Sequence, residues 1–160
     1  LQREGVYTKL LSDRIVERFR KDNMVLTSHL VAFTAFEILL KEHSHLDLFG
    51  ILKLPFEDFR IPVQDFENCC NRIRSQLLTL EAKGEVRVSD PVKWDIKALV
   101  EDGISNLGIY HAKKPLKVLK DGVVTTENLK LLYYYHNRLL GYGLEKVIHK
   151  ATAKMAMVHS

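Results

Sequence analysis

Thr27-Ser28-His29-Leu30-Val31-Ala32-Phe33-Thr34-Ala35-Phe36-Glu37-Ile38-Leu39-Leu40 decides the fold of this chain. Leu30, Val31, Phe33, Ala35, Phe36, Ile38, Leu39 and Leu40 leave almost no polar stripe around a helix. A helix that is apolar nearly all round must sit in the middle of a protein, with other elements covering every side. Thr27 or Ser28 supplies an oxygen suited to cap its first turn. Lys41-Glu42-His43-Ser44-His45 marks its polar end.

Working outward, Tyr7 to Phe19 reads as a preceding helix, with Leu10, Leu11, Ile15, Val16 and Phe19 at helical spacing. Downstream, Leu46-Asp47-Leu48 opens a short helix or turn that Pro55 and Pro62 interrupt. Val63 to Lys83 is the clearest one-sided helix. Phe66, Cys70, Ile73, Leu77 and Leu80 fall three or four apart, and Gly84 stops it. Glu85-Val86-Arg87-Val88 alternates as a short strand does. Pro91 is read as opening a helix from Val92 to Leu107, with Trp94, Ile96, Leu99, Val100 and Ile104 on its face. Ile109-Tyr110-His111 and Leu116-Lys117-Val118-Leu119 look extended, and Asp121-Gly122 marks a tight turn. Thr125 or Thr126 is read as the cap of a long last helix, with Glu127 in its first turn. Leu129, Leu132, Tyr133, His136, Leu140, Leu144, Val147 and Ile148 run down one stripe. The expected fold is mainly α: one helical domain over 1–160, with a small β-hairpin or three short strands.

Composition narrows the function classes. The 160 residues are 46% hydrophobic, which suits a globular chain, and the net charge is +4. That charge is compatible with anionic lipid, an acidic carrier protein or nucleic acid, and selects none of them. No run approaches the roughly 18 apolar residues of a membrane span, so the expectation is a soluble or surface-bound protein. Leu1-Gln2-Arg3-Glu4 has no signal-peptide character. The start at Leu1 is read as a cut from a longer protein. Cys69 and Cys70 are adjacent, a poor geometry for pairing with each other, and point to a reducing, cytosolic setting.

Several clusters invite chemistry. Ser28-His29 resembles a nucleophile beside a base, but neighbours at a helix start seldom face each other, so a cap is the better reading. His43, His45 and Asp47 alternate as some zinc ligands do, yet no second cluster completes a site. Histidines at the negative end of a helix dipole explain them as well, and neither metal nor cofactor is expected. In Tyr133-Tyr134-Tyr135-His136-Asn137-Arg138, Leu132, Tyr133 and His136 should face the core while Tyr134 and Arg138 face out. Asn137 would then bond backbone on a facing element. Lys146, Lys150 and Lys154 stand four apart across 144–158. They suit a helix on an anionic membrane or a partner, and equally an ordinary exposed helix. Lys113, Lys114, Lys117 and Lys120 would lie on the wing of a winged-helix reading, but the modest charge disfavours nucleic acid.

Two segments taken together carry a resemblance. Asn23 to Ala32, with Thr27-Ser28-His29, and Leu131 to Leu140, with Tyr135 and Asn137, are similar in order and separation to the region downstream of the catalytic domain in membrane-associated glycerol-3-phosphate and dihydroxyacetone-phosphate acyltransferases. The similarity runs from roughly Tyr7 to Tyr142. It implies an accessory helical region of phospholipid biosynthesis, peripheral to the cytoplasmic side of the membrane, with the upstream acyltransferase domain as partner. Thr27, Ser28, His29, Tyr135 and Asn137 would be structural. The family's catalytic His, followed five positions later by Asp, does not occur: those positions after the histidines are Thr34, Leu48, Gly50, Leu116, Gly141 and Lys154. No catalytic residue is therefore carried over, and this segment alone is expected to be inactive.

Overall fold

A computed structural model describes residues 24–148. The expected helix at Tyr7 to Phe19, together with Lys150 and Lys154, lies outside the described residues. Helix α1 (Thr27–Glu42) is buried from Thr27 to Leu39. Helices α3 (Val63–Ala82), α4 (Ile96–Asn106) and α5 (Leu129–His136) surround it, and α1 touches all three. The short α2 (Leu48–Leu52) follows α1. Phe33, Phe36, Leu30 and Leu39 on α1 are almost wholly enclosed. Each such side chain contributes about 1.5–3 kcal/mol relative to exposure. The buried Thr34 hydroxyl answers its own need by donating to the Leu30 carbonyl oxygen at 2.8 Å.

Two small sheets complete the fold. Strand β1 (Met24–Val25) runs parallel to β3 (Arg87–Val88), in the register Met24↔Arg87 and Val25↔Val88. Strands β2 (Ile61–Pro62), β5 (Val123–Thr125) and β4 (Lys117–Val118) form an antiparallel sheet in the order β2-β5-β4. Pro62 sits on an edge strand, where a missing N–H costs no ladder bond. The Asp121-Gly122 turn joins β4 to β5, with Gly122 at φ +77°.

The mainly α architecture is present, and α3 follows its sequence signal closely. Its buried residues are Phe66, Cys70, Ile73, Leu77 and Leu80, and Gly84 at φ +77° ends it. Glu81 ties the end of α3 to β3: its carboxylate accepts from the Val88 N–H at 3.1 Å and pairs with Lys93 at 3.0 Å.

Four local expectations are corrected. Helix α1 has Leu26 as its N-cap, not Thr27 or Ser28. The Thr27 hydroxyl is directed to another helix, donating to Asp102 Oδ2 at 2.6 Å. Pro91 opens only a 3-10 turn, Asp90–Lys93, and α4 starts at Ile96. Asp95 is the better cap because its carboxylate accepts from the Ala98 N–H at 3.2 Å. Trp94 therefore leaves the helix face and is about half exposed (48%). Ile109 and Tyr110 form a turn, not a strand.

The long last helix is also divided. Asn128, not Thr125 or Thr126, caps α5, accepting from the Leu131 N–H at 3.1 Å. Thr125 ends β5, and Glu127 precedes the helix and pairs with Lys117. After α5 a 3-10 turn, Asn137–Leu139, leads to Gly141 (φ +93°) and Gly143 (φ +73°), and helix resumes at 145.

Candidate functional site

The two segments that carry the resemblance lie about a hundred residues apart in sequence and face each other in the fold. On α1, His29, Phe33, Phe36 and Glu37 recur at helical spacing and form one face. On α5, Leu132, Tyr133 and His136 do the same. The two faces meet in a seam with a polar pair at its centre: His136 Nε2 lies 2.8 Å from Glu37 Oε1. The side chains are 3% and 7% exposed, so the pair is dry.

The surroundings fix the ring. Phe33 stacks on His136 with centroids 5.1 Å apart and planes 7° apart. Phe36 tilts against it at 4.8 Å, and Tyr133 lies at 6.0 Å. His136 Nδ1 meets the amide oxygen of Asn137 at 3.1 Å. An amide oxygen only accepts, so in this contact Nδ1 is the donor. Asn137 thus bonds its neighbouring side chain, not facing backbone as expected, and it stays exposed. Its effect is to set the tautomer and tilt of His136.

His29 forms the outer end of the seam. Its Nδ1 accepts from the Leu26 N–H at 3.2 Å, which satisfies one orphan donor at the helix start. Leu26 has no side-chain acceptor, so this cap is one-sided. Burial, reinforced by the nearby Arg138 charge, lowers the His29 pKa to about 4. An acceptor role demands the same neutral ring. Tyr135 lies alongside, its ring 6.5 Å from His29. Tyr134 and Arg138 face out, as the sequence pattern predicts.

A general base must reach the proton it removes. Three aromatic rings surround His136, and almost none of either side chain of the pair is exposed. Its chemistry is therefore to hold α5 on α1 in one register. The sequence contained a signal for it: an acid flanked by Phe36 and Ile38 in a fully buried helix requires a partner. Nothing near Glu37 in the sequence names that partner, and the pairing emerges only in the fold.

The remaining sequence candidates are dispersed. His43 caps the C-terminal end of α1 and its ring lies 6.1 Å from that of His45. Asp47 is engaged at the start of α2, accepting from the Gly50 N–H at 2.8 Å. Among the described residues no group of three His, Cys, Asp or Glu side chains is placed to hold a metal ion. Lys146 is exposed. Burial raises the Cys70 thiol pKa to about 12, which suppresses its thiolate.

A cleft of about 370 Å³ lies between the ends of α1 and α3, lined in part by Ile38, Lys41, Glu42, Asp65, Cys69 and Arg72. Its two cations and two acids offset each other, and Lys41 Nζ already donates to the Ile148 carbonyl at 2.7 Å. Among the described residues no helix is long and apolar enough to cross a membrane. No protein-family model, no curated protein and no solved structure matches the chain.

Proposed function

We propose that this chain is the C-terminal accessory region of a glycerol-3-phosphate acyltransferase-like enzyme of phospholipid biosynthesis. It packs on an upstream catalytic domain, supports that domain's fold and rests at the cytoplasmic face of the membrane. The parent reaction is acyl transfer from acyl-CoA or acyl carrier protein to glycerol 3-phosphate.

The observation that supports this reading is the seam. The resemblance rests on two short segments, Asn23 to Ala32 and Leu131 to Leu140, and these meet where the His29 ring stacks beside Tyr135 with centroids 6.5 Å apart; one turn beyond the first segment, Glu37 pairs with His136 of the second at 2.8 Å. Motifs that recur together for structural reasons should touch. Leu26, Tyr134 and Leu140, on the segments that form the seam, are each exposed and are the apolar groups a neighbouring domain would cover. In the resembled family a histidine of the upstream domain deprotonates the glycerol hydroxyl, which then attacks the acyl thioester. The dry pair here has no access to such a hydroxyl, so this region's contribution is positional.

The test is acyl transfer to labelled glycerol 3-phosphate, comparing the 160-residue chain alone with the same chain joined to its upstream sequence. Activity confined to the joined protein supports the reading. Activity in the chain alone overturns it. A folded but silent joined protein, together with salt-sensitive DNA binding in a gel shift, would replace it with a nucleic-acid-binding module.

A further inference from the structure

The segment 108–120 is a held loop that presents apolar groups to solvent. Gly108 adopts φ +65°, and a Cβ there would fall 2.6 Å from the Pro115 ring. The loop is closed at its base: the His111 N–H donates to the Gly108 carbonyl at 2.9 Å. Lys114 Nζ donates to the carbonyls of Gly108 and Ile109 at 3.3 and 3.4 Å. Pro115 and Leu116 are buried and anchor it to the core. The tip is nonetheless Ile109 (56% exposed) and Tyr110 (97% exposed), with Val118 (47%) on the adjoining edge strand β4. A closed, anchored loop with its largest apolar groups outward has a defined shape before it meets anything.

Its charge is one-sided. Residues 108–120 contain Lys113, Lys114, Lys117 and Lys120 and no acid. The acids that follow in sequence are engaged by cations: Glu127 pairs with Lys117 at 2.8 Å and also feels the Lys113 charge, and Asp121 pairs with Arg60 at 2.6 Å. Lys113 and Lys120 are exposed.

We propose that this loop is a contact surface for an anionic lipid bilayer, with Ile109 and Tyr110 entering the interface and Lys113 meeting lipid phosphates. A stable protein interface needs roughly 800 Å² from each partner. Two protruding side chains supply far less, whereas a bilayer requires only shallow insertion beside cations. Tyrosine suits the depth, with an apolar ring and a hydroxyl that stays wet. This adds to the proposed function the surface through which membrane contact is made, and it is tested without acyl transfer, so either reading can fail alone.

The experiment is co-sedimentation of the full chain with vesicles of phosphatidylcholine, alone or mixed with phosphatidylglycerol. The expected result is binding to the mixed vesicles that weakens with salt, and little to the neutral ones. Replacing both tip residues (I109S with Y110S) should lower the partition coefficient about tenfold, with the circular dichroism spectrum unchanged because both are exposed. K113E should lower it less and reduce the salt dependence. Equal binding to both vesicles, or undiminished binding of the tip variant, overturns the proposal. Sedimentation with neither vesicle also overturns it, and leaves a protein partner as the occupant.

Discussion

The α1–α5 seam and the β2-β5-β4 layer each join distant segments through oppositely charged or polar side chains, but in opposite environments. Glu37 and His136 meet at 2.8 Å with 7% and 3% of their side chains exposed. Arg60 and Asp121 meet at 2.6 Å with about half of each side chain in water. Distance alone would favour the exposed pair. Solvent decides otherwise: water competes for an exposed pair and screens it, whereas a buried group that loses its partner keeps the whole desolvation penalty.

The largest expected effect follows from that difference. His136→Ala strands the Glu37 carboxylate among Phe33 and Phe36, and should destabilise the fold by about 3–5 kcal/mol in urea titration. A cost below about 1 kcal/mol would mean that water enters the seam. Next is the crossing of α1 and α4. A Cβ on Gly103 would lie 2.7 Å from the Thr27 carbonyl oxygen and from Val31 Cγ1. Gly103→Ala should cost roughly 1–3 kcal/mol even though alanine favours helices. A stabilised variant would show that the helices separate freely.

A smaller effect depends on pH. The folded-state pKa of His29 is lowered to about 4 from an ordinary 6.5. Between those values the unfolded chain binds a proton that the folded chain does not, so stability falls as pH drops from about 6.5 toward 4. His29→Gln keeps an acceptor for the Leu26 N–H and removes the titration. The difference in stability between wild type and H29Q should therefore shift in favour of H29Q by on the order of 2 kcal/mol across that window. A difference independent of pH would contradict the buried, neutral ring. Smallest is Arg60→Ala, expected to cost less than about 1 kcal/mol and to lose even that in high salt.

How much of this was legible follows the same division. Helix α3 could be read residue by residue, because one of its faces meets the core and the other meets water, and that contrast appears as periodicity. The central place of α1 was legible for the opposite reason, since it shows no polar face at all. Strands β1 and β2 are two residues long, and alternation cannot register in two residues. The pairing of Met24 with Arg87 spans about half of the described residues. Cap positions failed where a side chain had a better partner elsewhere: Thr27 reaches Asp102, and Asp95 outcompetes Pro91 as a helix start. The single stripe from Leu129 to Ile148 concealed the break at Gly141 and Gly143, although both glycines were visible. In the seam, the inward face of His136 was legible and its partner was not. A lone acid in an apolar helix states a need without naming what meets it, and the answer lay 99 residues away.

The most direct test is a double-mutant cycle on Glu37 and His136, comparing Glu37→Leu, His136→Leu and the two together by equilibrium unfolding. The account predicts that each single change is costly, that H136L costs more because it leaves an acid buried, and that the double variant regains much of the loss, with a coupling of at least about 2 kcal/mol. Additive costs, with a coupling near zero, would mean that the two residues do not act as a pair and that the seam is held by its aromatic packing alone.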